Sequence, residues 1–225
     1  MYIKDKWLSD QFGYSVYNIK SLNSKTIDNV DKINKNNLII YKTKNIKNKK
    51  IFLQKNNFKL IENTILFSFN IKKKYNFDSN CRLSKNTDKK ELVNLSKKSF
   101  INSRFFKDTK IPKITGEKIK SNWIKNFFDG KRGNSIIVYE KNKKICGFIL
   151  LIYKKNNLII DLIAVNKKFR GKNIGSKLIE SSIFFYNKAK KIYAGTQLSN
   201  KSSIRFYKKN KFRITEKGYT FHRHH

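Results

Sequence analysis

Apolar residues run almost unbroken over positions 158–165, LIIDLIAV, with Asp161 the one polar interruption. A run of that length and β-branched content predicts a strand covered on both faces. Two shorter runs precede it, SIIVYE at 135–140 and ICGFILLIY at 145–153, and the KNKK between them makes the pair a β-hairpin by pattern. Further upstream, Leu92, Leu95, Ser96, Ser99 and Phe100 recur at helical spacing to about Asn102, and Asp88 followed by Glu91 has the spacing of a capping box. A second helix is predicted over 116–128, with Ile119, Trp123, Ile124 and Phe127 on one face and Gly130 beyond its end. Beyond the central strand the pattern predicts a helix to about Asn187, a strand at 192–194 and a last helix from Asn200 to Asn210. FRIT and GYTFH then read as a closing pair of strands.

The first 71 residues have an alternation of their own. Strands are predicted at 14–19, 38–41 and 58–71, the last from ILFSFNI, with helices at 26–33 and 46–56. Such a βαβαβ-like unit is small to stand alone. The apolar pattern thins between 72 and 90, where KKKYNFDSN marks the expected linker, and Arg82-Leu83 opens the next unit on a strand.

Between the central strand and its helix lies a short basic turn, NKKFRGKNIGS at 166–176. Gly171 and Gly175, with Asn173 between them, allow unusual backbone dihedrals. Backbone amides at the start of the following helix then point outward at the positive end of its dipole, an arrangement that binds phosphate, and Arg170 and Lys172 add charge at the mouth. The glycine spacing matches neither a P-loop nor a dinucleotide fingerprint. A basic, glycine-containing turn also occurs without any ligand, so the turn alone leaves both readings open.

Composition narrows the setting. Hydrophobic residues make up 39% and aromatics 14% of 225 residues, enough to fold as one large domain or two small ones sharing a core. Lys and Arg number 52 against 15 Asp and Glu, a net +37. That surplus is spread along the whole chain and comes with abundant Asn and Ile, as A/T-rich codons produce, so it reads as general basicity and not as a nucleic-acid surface. Cys81 and Cys146 stand apart without CxxC or Cys/His spacing, so neither a disulfide framework nor a metal site is expected. The three histidines fall in the last four residues and read as a natural terminus. No apolar stretch reaches a membrane span and the N-terminus lacks a signal-peptide core, so a reduced cytoplasmic compartment with no membrane partner is expected.

Two motifs carry a family resemblance. Arg170 to Gly175 resembles the acetyl-CoA signature (Q/R)xxGxG/A of the GNAT acetyltransferases, with Asn173 where glycine is usual. TQLSNKSSIRFYKKNKF at 196–212 resembles their C-terminal element NxxAxxFYxxxGF, with Asn200, Ser203, Phe206, Tyr207 and Phe212 in register. A narrower likeness, to the TDP-fucosamine acetyltransferases, extends through SFINSRFF (99–106) and NWIKN (122–126). In the N-terminal half it rests on Trp7, Phe12 and Gly13, and on Leu53, Phe58, Leu60, Ile61 and Glu62, with Asn57 where that segment usually has glycine.

The resemblance implies an α/β GNAT fold: a mixed, mostly antiparallel central sheet flanked by helices. It places a smaller N-terminal α/β domain at 1–75, contributing to the acceptor cleft, and an acetyltransferase domain at 80–225. It implies acetyl-CoA as co-substrate, without a metal, and direct transfer to the 4-amino group of a dTDP-4-amino-4,6-dideoxyhexose. A UDP-amino sugar or a peptide amine is the alternative acceptor, and a homodimer is admitted. On this resemblance the backbone of Ile163, Ala164 and Val165 holds the pantetheine arm. Arg170, Gly171, Lys172, Asn173, Ile174, Gly175 and Ser176 hold the pyrophosphate, and Asn200 contacts CoA. Tyr207 is the general acid on this resemblance, although by itself, beside Phe206, it reads better as a core aromatic. Glu62 is the implied base with Asp161 its competitor, and Arg104 and Trp123 are assigned to the substrate.

Overall fold

A computed structural model describes residues 1–32, 36–72, 74–100 and 102–225. In chain order its elements are β1 (Tyr2–Lys4), α1 (Lys6–Phe12), β2 (Ser15–Ile19), α2 (Ser24–Asp31), β3 (Asn37–Thr43), α3 (Lys50–Lys55), β4 (Lys59–Asn70) and β5 (Cys81–Leu83). There follow α4 (Lys89–Lys97), α5 (Arg104–Lys107), α6 (Lys113–Phe128), β6 (Ser135–Lys141), β7 (Lys144–Lys154), β8 (Asn157–Val165), α7 (Ile174–Phe185), β9 (Lys191–Gln197), α8 (Lys201–Lys209) and β10 (Arg213–His224).

The ten strands form one sheet in the order β1-β2-β3-β10-β4-β9-β8-β7-β6-β5. Among the described residues only β2 with β3 and β8 with β9 pair in parallel, so the sheet is mixed and mostly antiparallel, as expected. The C-terminal β10 lies between β3 and β4 and hydrogen-bonds to both. The sheet therefore runs unbroken across the boundary expected between residues 75 and 80. No helix among the described residues is long and apolar enough to cross a membrane.

Helices cover both faces. On one, α7 and α8 bury Ile174, Leu178, Ile183 and Tyr207 against Phe67, Ile160 and Ala194. On the other, α4 and α6 bury Leu92 and Ile124 against Phe148, Leu162 and Ala164. That β8 feeds both cores with even-numbered residues breaks the two-residue period of a strand. The cause is a bulge: Leu150 pairs with Leu162 and Leu151 with Ile160, leaving Asp161 as the extra residue that turns the strand over.

Asparagine stands in for glycine in the backbone. Among the described residues, five of the eight non-glycine residues at positive φ are asparagines, including Asn57 (φ 60°) and Asn173 (φ 61°). These stand where the resembling families carry glycine, as does Lys211 (φ 62°), and asparagine is the side chain that best tolerates the left-handed region.

Several expectations are corrected. FRIT and GYTFH are not a strand pair but parts of the single strand β10, whose register shifts at Ile214/Glu216 and Thr220/Phe221. Gly218 does not turn the chain; it faces Thr64, whose Oγ1 would lie 2.6 Å from any Cβ there. The Asp88–Glu91 capping box does not form. Asp88 instead accepts from the Lys85 amide and pairs with Arg82, while Glu91 accepts from the Ile145 amide at 3.0 Å. The helix expected to reach Asn102 ends at Lys97, and a separate turn of helix, α5, carries Arg104. Ile33, the expected end of the first helix, and Ile101 lie outside the described residues.

Candidate functional site

The central feature is a parted pair of strands. β8 and β9 are in register from Asn157/Lys191 to Ile160/Ala194 and no further, so Asp161 to Val165 continue without that neighbour. β9 stays paired with β4 on its other side as far as Gln197. The bulge at Asp161 begins where the parting begins, and it presents the half-buried Ile163 and Val165 toward the α7 side. A backbone strip is thereby left with donors and acceptors on offer to a ligand that runs like a strand.

The strip leads into the basic turn. Gly171 takes φ 82° and Asn173 φ 61°, and the Asn173 side chain makes no capping hydrogen bond to α7. The first two amides of α7, at Ile174 and Gly175, which have no partner within the helix, are thus left without a side-chain cap beside its positive dipole end. Arg170 Nε donates to the Val165 carbonyl at 3.1 Å, pinning the turn to the end of β8, and Lys172 lies over the Phe169 ring at 5.7 Å. Ser176 is buried and its amide donates to the Asn173 carbonyl. Gly175 has a packing reason that the sequence did not reveal: a Cβ there would lie 2.7 Å from Phe206 Cε2. Asn200 caps α8, accepting from the Ser203 amide at 3.2 Å.

Tyr207 is buried on the α7–α8 side, with ring centroids at 5.3 Å from Phe67, 5.1 Å from Phe206 and 5.4 Å from Phe212. Burial pushes its phenol well above the ordinary tyrosine range, so it stays protonated.

A second group of charged residues gathers at β4, α5 and α6. Glu62, buried on β4, has one carboxylate oxygen without a hydrogen-bond partner. Burial raises its pKa, while Arg104, Lys107 and Lys120 pull in the opposite direction. Glu62, Asn63, Lys107 and Ser199 line a cleft of about 330 Å³, across which Lys107 donates to Ser199 at 2.8 Å. Trp123 on α6 is held between two cations, with Lys120 Nζ 3.5 Å and Arg132 Cζ 3.7 Å from its ring centroid. Its indole N–H is buried without an acceptor. Arg132 also grips Asp161 in a two-pronged pair at 2.6 and 2.7 Å, taking both carboxylate oxygens.

The fold therefore brings Glu62, Arg104, Trp123 and Asp161 together, with Lys120 inside the electrostatic reach of Glu62, Arg104 and Asp161. Burial first, then Arg132 and Arg104, lowers the Lys120 ammonium to about 7. Tyr207 is not among them. It packs with the face of β8 that carries Ile160, whereas Trp123 packs with the face that carries Leu162. Sequence reasoning missed Lys120, Arg132, Lys107 and Asn63. The lysines had no signal among so many, but Arg132 directly precedes Gly133, outside any helical or strand pattern.

Comparison with known proteins gives three findings. The sequence profile described as "Acetyltransferase (GNAT) family" matches residues 99–212. The spore coat polysaccharide biosynthesis protein SpsD of Bacillus subtilis is 28% identical over 137 residues, covering 60% of this chain and 47% of its own length. The chain thus spans about half of that curated relative. Among solved structures, a functionally unknown conserved protein of Staphylococcus epidermidis superposes with a TM-score of 0.64 at 11% identity, covering 94% of this chain and 85% of its own. A GCN5-related N-acetyltransferase of Sphaerobacter thermophilus gives 0.57 at 8% identity, covering 84% and 60%. At these identities the structures speak for the fold alone.

Proposed function

Because the chain belongs to the acetyltransferase (GNAT) family, we propose that it transfers an acetyl group from acetyl-CoA to the 4-amino group of a dTDP-4-amino-4,6-dideoxyhexose. The observation that carries the acetyl-CoA half is the parting of β8 from β9 directly ahead of an uncapped, positively charged helix start. The residues fit that co-substrate. The strip at 161–165 suits an amide-bearing arm, and the turn at 170–175 suits a pyrophosphate. Acetyl-CoA supplies an activated thioester carbonyl.

Two features support an anionic amino-sugar acceptor. The cations Arg104, Lys107 and Lys120 surround one buried carboxylate, which suits a substrate with a diphosphate at one end and an ammonium at the other. SpsD, by its name, serves polysaccharide biosynthesis. A cationic peptide would meet the same cluster unfavourably.

In this reading Glu62 removes the proton from the acceptor ammonium, so that the amine nitrogen can attack the thioester carbon. The raised pKa of Glu62 brings it nearer the operating pH, which favours a general base. Asp161 is the weaker choice because Arg132 holds both of its oxygens. As the tetrahedral intermediate collapses, the nitrogen sheds its second proton to solvent, the carbon–sulfur bond breaks, and Tyr207 donates its proton to the departing sulfur and recovers one from solvent. Burial keeps that proton in place until the sulfur carries charge, at the cost of making the phenol a weaker acid.

The test is an acceptor screen with acetyl-CoA that follows CoA release for dTDP-amino sugars, UDP-amino sugars and short peptides. Release with the dTDP sugar is expected. Release with peptides and no nucleotide sugar overturns the acceptor, and release with a UDP sugar alone moves it.

A further inference from the structure

The C-terminal strand carries a buried polar relay that the sequence offered only as three terminal histidines. His222 is fully buried, and its Nδ1 lies 2.5 Å from Asp108 Oδ2. His224 Nε2 lies 2.7 Å from the same oxygen, and Asp108 Oδ1 also accepts from the Lys110 amide at 3.1 Å. The other ring nitrogen of His222, Nε2, is 3.3 Å from Arg104 Nη1. As residues i and i+2 of one strand, the two imidazoles leave β10 on the same face. Asp108 meets them from the end of α5, the helix that Arg104 begins.

Hydrogen-bond donors and acceptors in this chain allow one assignment. The Asp108 carboxylate accepts, so His222 donates from Nδ1. A guanidinium only donates, so the Nε2 of His222 must carry a lone pair. His222 is therefore a neutral imidazole with its proton on Nδ1. Burial holds it in that form by depressing its pKa to about 4, against the opposing pull of Asp108. A divalent metal held by Asp108, His222 and His224 fits less well. Ligand bonds of about 2.0–2.1 Å set roughly tetrahedrally need the ligand atoms well beyond the 2.5 and 2.7 Å found here.

We propose that His222, locked in this tautomer by Asp108, positions the Arg104 guanidinium beside Glu62 at the acceptor cleft, making the C-terminal strand a specificity element for the anionic substrate. Arg104 is the first of the cations acting on Glu62, and among the described residues it forms no ion pair within bonding distance. One of its N–H groups is anchored on His222, and the others remain for a ligand anion. This is the use to which a planar guanidinium is suited, provided its plane is set by a fixed neighbour. The cleft's role as acceptor site rests on the function proposed above, whereas the tautomer does not.

The experiment has two arms on the untagged, full-length protein. In the first, ¹⁵N-histidine NMR should show one buried neutral imidazole with a slowly exchanging Nδ1 proton and an unprotonated Nε2. An Nε2–H tautomer or an imidazolium at His222 overturns the proposal. So does loss of that proton on adding one equivalent of Zn²⁺, which would make the triad a metal site. In the second arm, kinetics with dTDP-4-amino-4,6-dideoxygalactose compare His222→Leu with His222→Gln. Leu, which can accept nothing, should raise the acceptor KM roughly 10-fold, the scale of one hydrogen bond to a charge. The acetyl-CoA KM should stay within about twofold. Gln, with a donor and an acceptor on one planar group, should recover most of the loss. An unchanged acceptor KM in folded His222→Leu, or a Gln variant as poor as Leu, overturns the positioning role. Should His222→Leu not fold, the first arm still decides. Should no nucleotide sugar be acetylated while the Nδ1–H tautomer is found, the acceptor reading fails and the relay stands.

Discussion

Gly175→Ala separates the two reasons a glycine can sit at the start of α7. A new Cβ would lie 2.7 Å from Phe206 Cε2 and 3.0 Å from Cζ, inside any tolerable contact. The ring cannot simply swing away, because its centroid lies 5.1 Å from that of Tyr207, which is itself wedged against Phe67 and Phe212. Overpacking of this kind costs about 1–3 kcal/mol, and replacing a helical glycine by alanine returns at most about 1 kcal/mol. Taking that full return, a net loss of up to about 2 kcal/mol remains, or a Tm lower by up to about 8 °C for a chain of this size. Displacing Phe206 also displaces Tyr207, so turnover should fall even where acetyl-CoA still binds. The assay is thermal unfolding with acetyl-CoA titration of Gly175→Ala, Phe206→Leu and the double variant. The smaller side chain opposite should recover stability in the double variant, giving a favourable coupling. A Tm equal to or above wild type in Gly175→Ala, with no coupling to Phe206→Leu, refutes the packing argument. Weakened acetyl-CoA binding alone would then leave close backbone approach to phosphate as the reason for the glycine.

Three further outcomes are expected. Tyr207→Phe keeps the ring and its three aromatic neighbours, so the Tm should hold while turnover falls roughly 10²-fold; steady-state kinetics showing little change would leave the thiolate departing without it. Glu62→Gln should abolish the rising acid limb of the pH–rate profile and should also stabilise the fold at neutral pH. The sign follows from the raised folded pKa of Glu62: its ionisation opposes folding, so the gain should fade as pH drops below the unfolded value of about 4.3. Chemical denaturation at pH 4 and pH 8 showing the reverse order would contradict the burial argument. Lys172→Ala, at an exposed position, should raise the acetyl-CoA KM by up to about tenfold without changing Tm, an effect that shrinks with added salt; an unchanged KM would remove Lys172 from the phosphate turn.

Local chemistry was legible without coordinates. The eight-residue apolar run became β8, the hairpin formed about the KNKK turn, and α6, α7 and α8 lie where their spacing put them. Asn173 and Asn57 took the left-handed backbone that glycine takes in the resembling families, because that preference resides in the residue itself. Each of these depends on neighbours within a turn or two of chain. What depended on distant partners was not legible. The periodicity of 158–165 shows a strand but not the bulge at Asp161, which exists only in register with β7. Nor does it show the parting from β9. Asp161 looked free to act as a base until Arg132, 29 residues away, took both its oxygens. The terminal histidines read only as the end of a closing strand until β10 lay between β3 and β4 and set His222 against Asp108, 114 residues earlier. Backbone preference and hydrophobic period are properties of short segments. The charge around a buried group is a property of whatever the whole sheet brings beside it, and burial from water makes those few neighbours decisive.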